Sequence, residues 1–379
     1  MGKYQGREQT EAKHFILAKY LQALAFKVMR SWDITYVDGF SGPWQSQTAD
    51  FSDTSFMIAI AVLKDAQAQI KAQTGVLRKV KCFFSETDAA AFAQLQAAVA
   101  PHHHPTQGFE VHTYHGKFED AGSQIQSLIG RSFPLIFIDP TGWTGYPFSK
   151  IRSLFQYEKS EVIINFMYDF INRAAGMSDA KTVASLDPIL GGPGWVDRLD
   201  PSLDRGPAVE KLFRDTLKKE GSFEFVVSTR VDRATKDRPH FFLAYGTKNR
   251  SGLIAFRQIE YEALRVQARS RANAKERKRE ETTKTADLFA GSHADVQEAG
   301  IDDIVEAEKQ KATSHLLELL AVKGAVPFAD VVVNLLQPYI LRETNVKDVC
   351  VRLADQSKIV NTWGGGRNKP KDTSVIRLS

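Results

Sequence analysis

Apolar positions over the first two thirds of the chain switch between a helical period and short continuous runs. Residues 10–26 line up Phe15, Ile16, Tyr20, Leu21 and Leu24 on one side, which predicts an amphipathic helix. Residues 34–37 are a β-branched run ended by Asp38 and Gly39, predicting a strand and then a loop. Helices at 54–68 (Thr54 or Asp53 as N-cap), 88–99 and 121–128 then alternate with strands at 80–84, 110–114, 135–138 and 161–166. This is the spacing of βαβ units, so a mainly parallel sheet covered on both faces is expected. Two further strands follow at 223–229 and 240–246. The second joins a short apolar piece, 252–256, to make a closing pair. Between them and the earlier strands, residues 170–222 are rich in Gly, Pro and Asp (Gly191-Gly192-Pro193-Gly194-Trp195 among them) and carry no readable pattern.

The pattern changes after residue 260. Residues 261–284 are helix-prone and basic, and residues 285–310 are polar, acidic and low in aromatics, as a linker would be. A third unit starts near residue 312. Helices are predicted at 313–322, 328–336 and 345–353. Strands at 358–362 and 374–378 flank a basic Gly-rich tip, Gly364 to Lys371. Three helices and a β-hairpin make a winged-helix-like pattern. The expected domains are therefore 1–260, a basic helix and linker at 261–311, and 312–379.

Composition narrows the class. Of 379 residues, 43% are hydrophobic and 25% charged, ordinary for a chain with a sizeable core. Two distant cysteines, Cys82 and Cys350, exclude a cysteine-rich metal or iron–sulfur site and a disulfide framework. No apolar run is long enough to span a bilayer, and the polar N-terminus leads into no signal-type segment, so a cytoplasmic location is expected. The net charge of +5 is compatible with a polyanionic partner. Arg269, Arg271 and Lys275 in the basic helix, and Arg367 and Lys369 in the tip, are the candidates for nucleic-acid contact.

The chemistry concentrates at predicted strand ends, where open α/β sheets bind ligands. After the first strand comes Asp38-Gly39-Phe40-Ser41-Gly42-Pro43-Trp44. Glycine lets a nucleotide-like ligand approach the backbone, and the carboxylate suits an amino-acid moiety. The pattern resembles motif I of DNA-type methyltransferases, with Trp44 where a glycine is usual. Glu86, ending the second strand, can accept both hydroxyls of a ribose. Lys117 and Phe118 follow the third strand, where an adenine would lie. Asp139-Pro140-Thr141-Gly142-Trp143 follows the fourth. Amino-methyltransferases acting on bases carry Asp/Asn/Ser-Pro-Pro-aromatic here, the acid accepting hydrogen bonds from the target NH2 and the ring stacking on the base. Thr141 replaces the second proline, and the aromatic comes one residue later. Tyr168, after the fifth strand, is a second stacking candidate. Asp169 and Arg173 can orient a substrate or pair with each other. His102, His103 and His104 lie between prolines in a surface loop, so no metal is expected.

Lys13-His14, the Asp38–Trp44 run, Phe137-Ile138-Asp139-Pro140-Thr141-Gly142-Trp143 and Asn165-Phe166-Met167 together resemble the three-Cys-motif partner family, TcmP, over roughly residues 4–290. The family is named for a neighbouring protein with a three-cysteine, radical-SAM-like motif. The resemblance implies a core similar to S-adenosylmethionine (SAM) methyltransferases, with SAM as cofactor. Lys13-His14 is similar to a pre-strand helix motif of some ribosomal-RNA adenine methyltransferases, which implies that both residues border the cofactor. Two readings follow. One is a SAM-dependent methyltransferase, or methyltransferase-like protein, acting on an exocyclic amine of nucleic acid. The other is a non-catalytic subunit binding nucleic acid or the radical-SAM-like partner, in DNA processing or phage defence.

Overall fold

The computed structural model describes residues 4–42, 46–177, 179–284, 292–364 and 366–379. Pro43, Trp44 and Gly365 lie outside them, as does the 285–291 part of the expected linker. The chain divides into two compact units, Met1–Asn249 and Arg250–Ser379.

The first unit is a mixed α/β layer structure. In chain order it comprises α1 (Glu8–Val28), β1 (Ile34–Asp38), α2 (Ser55–Thr74), β2 (Val80–Glu86), α3 (Ala89–Val99), β3 (Phe109–His115) and α4 (Gly122–Ile129). Then come β4 (Phe133–Ile138), α5 (Phe148–Ile151), β5 (Glu161–Phe166), α6 (Tyr168–Ala174), α7 (Ala180–Ala184), α8 (Arg205–Gly221), β6 (Phe225–Asp232) and β7 (Pro239–Thr247). The seven strands form one sheet in the order β3-β2-β1-β4-β5-β7-β6. All neighbours are parallel except at β7, which runs antiparallel to both β5 and β6. The expected alternation of strands and helices is therefore present.

β1 is buried along its whole length because it lies between two strands and under two helical layers. Such strands read as unbroken apolar runs rather than alternating ones. Asp38, its last residue, pairs in register with Phe84 of β2 and Phe137 of β4. From β1 the chain winds outward through β2 and β3, then returns to β4 on the other side. The strand order thus reverses between β1 and β4, and a crevice opens beyond their C-terminal ends. α2 is delimited at both ends by its sequence. Thr54 is its N-cap, and its hydroxyl accepts from the Met57 N–H at 3.5 Å. Gly75 ends it in the left-handed region, φ 71°, where a side chain would be strained. The 170–222 stretch holds α6, α7 and α8, and it buries Trp195 completely.

The second unit holds α9 (Arg250–Thr283), α10 (Ser292–Lys323), β8 (Ala325–Pro327), α11 (Phe328–Leu336), α12 (Glu343–Asp355) and β9 (Val375–Arg377). Two expectations are corrected here. Residues 252–256 are not a strand but the start of α9, whose buried face includes Leu253, Phe256 and Ala263 at helical spacing. Residues 292–310 are not a linker but the first half of α10, which packs along α9. The acidic side chains of α10 meet the basic ones of α9: Arg265 pairs with Glu298 at 3.1 Å and Asp302 at 3.3 Å, and Arg269 with Glu298 at 3.2 Å. A low-aromatic charged stretch can be helical when its partner carries the opposite charge. β8 pairs with β9, and an isolated bridge joins Ile359 to Leu378. Phe328, Val331, Leu335, Val349, Leu353 and Ile376 close the core of this unit. Arg257, buried in it, pairs with Glu260 and donates to the Leu336 and Gln337 carbonyls at 2.7 and 2.9 Å. Those carbonyls end α11 and have no partner within the helix. Among the described residues, no helix is long and apolar enough to cross a membrane.

Candidate functional site

The crevice beyond β1 and β4 deepens into a cavity of about 360 Å³. α1 contributes Lys13 and His14. The segment after β1 contributes Phe40 and Gly42, and the start of α2 contributes Asp53, Thr54 and Ser55. Asp139, Pro140 and Thr141 follow β4, and Asn165 and Met167 flank the end of β5. His240 and Phe241 come from the start of β7, which reaches the same sheet edge because it runs antiparallel. The volume lies within the ordinary range for a small-molecule site, roughly 300–1,000 Å³.

Asp139 is held from two sides of the wall. Its Oδ2 accepts from the Lys13 ammonium at 2.5 Å, and its Oδ1 accepts from Asn165 Nδ2 at 2.6 Å. Both ionic partners are mostly buried, Lys13 12% and Asp139 15% exposed, so water screens the pair only weakly. The Asn165 amide orientation follows from this contact, since the flipped form would set two oxygens against each other. That orientation leaves Asn165 Oδ1 buried with no hydrogen-bond partner among the described residues. Buried acceptors are nearly always satisfied, so a donor is called for at this point of the wall.

Asp53 anchors the other side. It accepts from Ser46 Oγ at 2.5 Å, Gln47 N at 2.8 Å and Thr48 Oγ1 at 2.9 Å, and it pairs with the Arg7 guanidinium. Burial alone would raise its pKa. The Gln47 amide, Ser46, Arg7 and Thr48 together outweigh burial and hold it well below the usual carboxylate range. The cavity therefore carries two carboxylates and two cations at fixed positions.

The other sequence candidates divide. Lys13, His14, Phe40, Gly42, Asp139 and Pro140 line the cavity. Asp38 stands behind its wall, fully buried, with Oδ1 accepting from the Phe40 N–H at 3.1 Å and Oδ2 from Ser55 Oγ at 2.6 Å. It ties the segment after β1 to the first turn of α2. Burial pushes its pKa up to about 6 against those hydrogen bonds. Gly39 faces its own chain: a Cβ there would sit 2.7 Å from Cγ of Phe118. Phe118 is 2% exposed and belongs to the hydrophobic core, so its ring fills the space that glycine leaves. Lys117 beside it is exposed. Glu86 is buried at the tip of β2, where its Oε1 accepts from the Thr87 and Asp88 N–H groups at 2.6 and 2.7 Å.

Neither stacking candidate reaches the cavity wall. Trp143 packs against the core and donates its Nε1–H to Ser185 Oγ at 2.8 Å. Tyr168 packs edge-on against Phe242, ring centroids 5.1 Å apart, and closes on Gly206, where a Cβ would meet its hydroxyl. Asp169 does not pair with the Arg173 side chain. Arg173 Nε donates instead to the Asp169 backbone carbonyl at 3.0 Å, and the Asp169 carboxylate pairs with Arg233. The histidine run splits: His102 meets Lys64 Nζ at 2.9 Å, and His103 bonds the Val111 backbone. Among the described residues, no group of three or more His, Cys, Asp or Glu is disposed to hold a metal.

In the second unit, Arg269 is engaged by α10, and Lys369 pairs with Asp348 at 2.6 Å. Arg271 and Lys275 also have partners, and Arg367 is exposed. Sequence reasoning placed Asn165 at the binding edge but missed Arg7, Asp53, Ser55, His240 and Phe241 as parts of the same wall. Of the missed residues, Asp53 carried a signal in Asp53-Thr54, acid and cap just ahead of a helix that follows the first strand.

No family model matches the chain, and no curated protein matches it. Among solved structures it is similar to the crystal structure of protein LPL1258 from Legionella pneumophila str. Philadelphia 1, family-model DUF519. Identity is 11%, over 62% of this chain and 84% of that one, with a TM-score of 0.33. A likeness this slight carries no argument about function.

Proposed function

We propose that the first unit is a Rossmann-like SAM-dependent methyltransferase, or a methyltransferase-like protein, acting on an exocyclic amine of nucleic acid. The observation that carries this reading is Asp139, held by Lys13 and Asn165 in the wall of a cavity at the strand-order switch point. The seven-stranded order with β7 antiparallel supports the methyltransferase type of sheet. The cofactor fits the cavity chemically. Lys13 and Arg7 beside Asp53 suit the paired charges of an amino-acid end, and the orphaned Asn165 Oδ1 suits an incoming N–H. Lys13, His14, Phe40 and Gly42, which line the cavity, would hold that end.

When bound, SAM supplies an electrophilic methyl group on a sulfonium, a good leaving group. The chain's own work is then orientation. Asp139 accepts a hydrogen bond from the target NH2 and turns its lone pair toward the methyl group. A carboxylate oxygen has more than one lone pair, so Lys13 and Asn165 do not exhaust it. Fixed geometry of this kind is the main catalytic contribution available to methyl transfer. The test is transfer of labelled methyl from SAM to oligonucleotides. Wild type is expected to label them and Asp139→Ala to lose at least a hundredfold. Equal labelling by the variant would overturn the assignment.

A second reading is favoured by Trp143 and Tyr168, whose rings pack into the core and leave the cavity without the stacking pair first expected. In it, the first unit serves the three-Cys radical-SAM-like partner without transferring methyl groups. The second unit, in which α10, α11, α12 and the β8–β9 pair make up the winged-helix-like part, recruits nucleic acid or that partner. Methyl transfer appearing only when both proteins are present would favour it.

A further inference from the structure

The β6–β7 hairpin rises at the same sheet edge as the cavity, because β6 runs parallel to β5 and β7 returns antiparallel. Its tip is cationic. Arg230, Arg233, Lys236, Arg238 and His240 fall within eleven residues, with Asp232 and Asp237 the only acids among them. Asp169 is shared: it pairs with Arg233 and lies 3.9 Å from Arg238 and 3.6 Å from His240. Arg230, Arg233, Lys236 and Arg238 outnumber Asp169, Asp232 and Asp237, which leaves the tip positive. Arg230, which pairs with Asp232 at 2.7 Å, and Arg238 remain about half exposed, at 48% and 54%. The same strand then enters the cavity, where His240 and Phe241 form part of the wall. At about 3.3 Å per residue, Arg238 lies roughly 7–10 Å along the strand from them.

We propose that this hairpin is the phosphate-contacting surface for a single-stranded nucleic acid, one of whose nucleotides enters the cavity. The inference rests on the nucleic-acid substrate proposed above. It moves phosphate contact in the first unit to the residues that continue directly into the cavity wall. A duplex base cannot reach such a wall unless it leaves the stack, so an unpaired strand is the natural occupant. Phosphates flanking the entering nucleotide would meet Arg230 and Arg238.

The experiment is fluorescence anisotropy of the full chain with labelled single-stranded DNA and RNA oligonucleotides, over 50–200 mM salt. Arg230→Gln/Arg238→Gln is compared with Lys218→Gln/Lys219→Gln, a charge-matched control at the end of α8 on the opposite sheet edge. The hairpin variant is expected to bind at least tenfold more weakly, with the slope of log affinity against log salt shallower by about 1.4, some 0.7 per lost contact. The control is expected to bind as wild type, and Arg230→Lys/Arg238→Lys to restore most of the affinity. Equal losses in hairpin variant and control, or no oligonucleotide binding by wild type, would overturn the proposal. So would equally tight wild-type binding to a poly-glutamate peptide, which would point to an acidic protein instead. Oligonucleotide binding through the hairpin without any SAM-induced rise in melting temperature would uphold this surface while sinking the cofactor reading.

Discussion

The Lys13 ammonium on α1 lies 2.5 Å from Asp139 Oδ2 at the tip of β4, joining a helix that precedes the sheet to the centre of its binding edge. Removing one member strands the other in a mostly dry place. Lys13→Met is expected to cost about 1.5–3 kcal/mol, the usual worth of a hydrogen bond to a charged group. Urea denaturation of Lys13→Met, Asp139→Leu and the double variant is expected to give a coupling of about 0.5–3 kcal/mol. Strict additivity would mean that the contact does not exist in solution.

Asp38 makes stability depend on pH. Its pKa is raised in the folded state to about 6 from 3.8, chiefly by burial, so the folded chain binds the proton more tightly than the unfolded chain. The stabilisation is full below the unfolded value and is lost as pH rises through about 6. Relative to Asp38→Asn, wild type is expected to lose roughly 1–3 kcal/mol between pH 4 and 7, at about 1.4 kcal/mol per unit of pKa shift. The paired difference isolates Asp38 from Glu161, whose pKa burial also raises. Parallel stability profiles for the two proteins would refute the assignment.

Gly39 and Phe118 are predicted to be coupled through space. Gly39→Ala drives a methyl group to within 2.7 Å of the Phe118 ring and is expected to cost about 1–3 kcal/mol as an overpacked site. In a Phe118→Ala background the same change is expected to cost far less, because the ring is gone. Thermal unfolding of the four proteins reads this directly, and an unchanged penalty would show that Gly39 is needed for some other reason.

Arg257 caps α11 from inside the second unit. Arg257→Met removes an ionic partner of Glu260 and exposes two helix-end carbonyls to an apolar surround. A loss of about 3–5 kcal/mol is expected. Arg257→Met/Glu260→Met should recover part of it, since an apolar pair of similar volume carries no buried charge. A double variant as unstable as the single would show that the carbonyl contacts, not the ion pair, dominate.

Legibility in the sequence followed the range of the interactions. β1, β2, β4 and β5 could be read because central parallel strands are short apolar runs closed by Asp38, Glu86, Asp139 and Asn165-Phe166. Those same closing residues marked the binding edge. The start of α9 was misread, because Gly252 to Phe256 is apolar on too short a window to separate strand from helix. α10 was misread because its acids are explained only by α9, a partner distant in sequence. The full wall was not legible for the same reason: Arg7 meets Asp53, and Asn165 meets Asp139, only after the sheet has formed. Trp143 and Tyr168 carried the right chemistry for stacking, but packing turned their rings to the core.

The most direct measurement of the central claim is calorimetric titration of wild type and Lys13→Ala with S-adenosylhomocysteine. Saturable single-site binding is predicted for wild type. For Lys13→Ala it should be weakened at least tenfold, about 1.4 kcal/mol, because the ammonium in the wall is gone. Absence of heat with wild type, for this ligand and for SAM, or equal affinity in the variant, would contradict the assignment of this cavity.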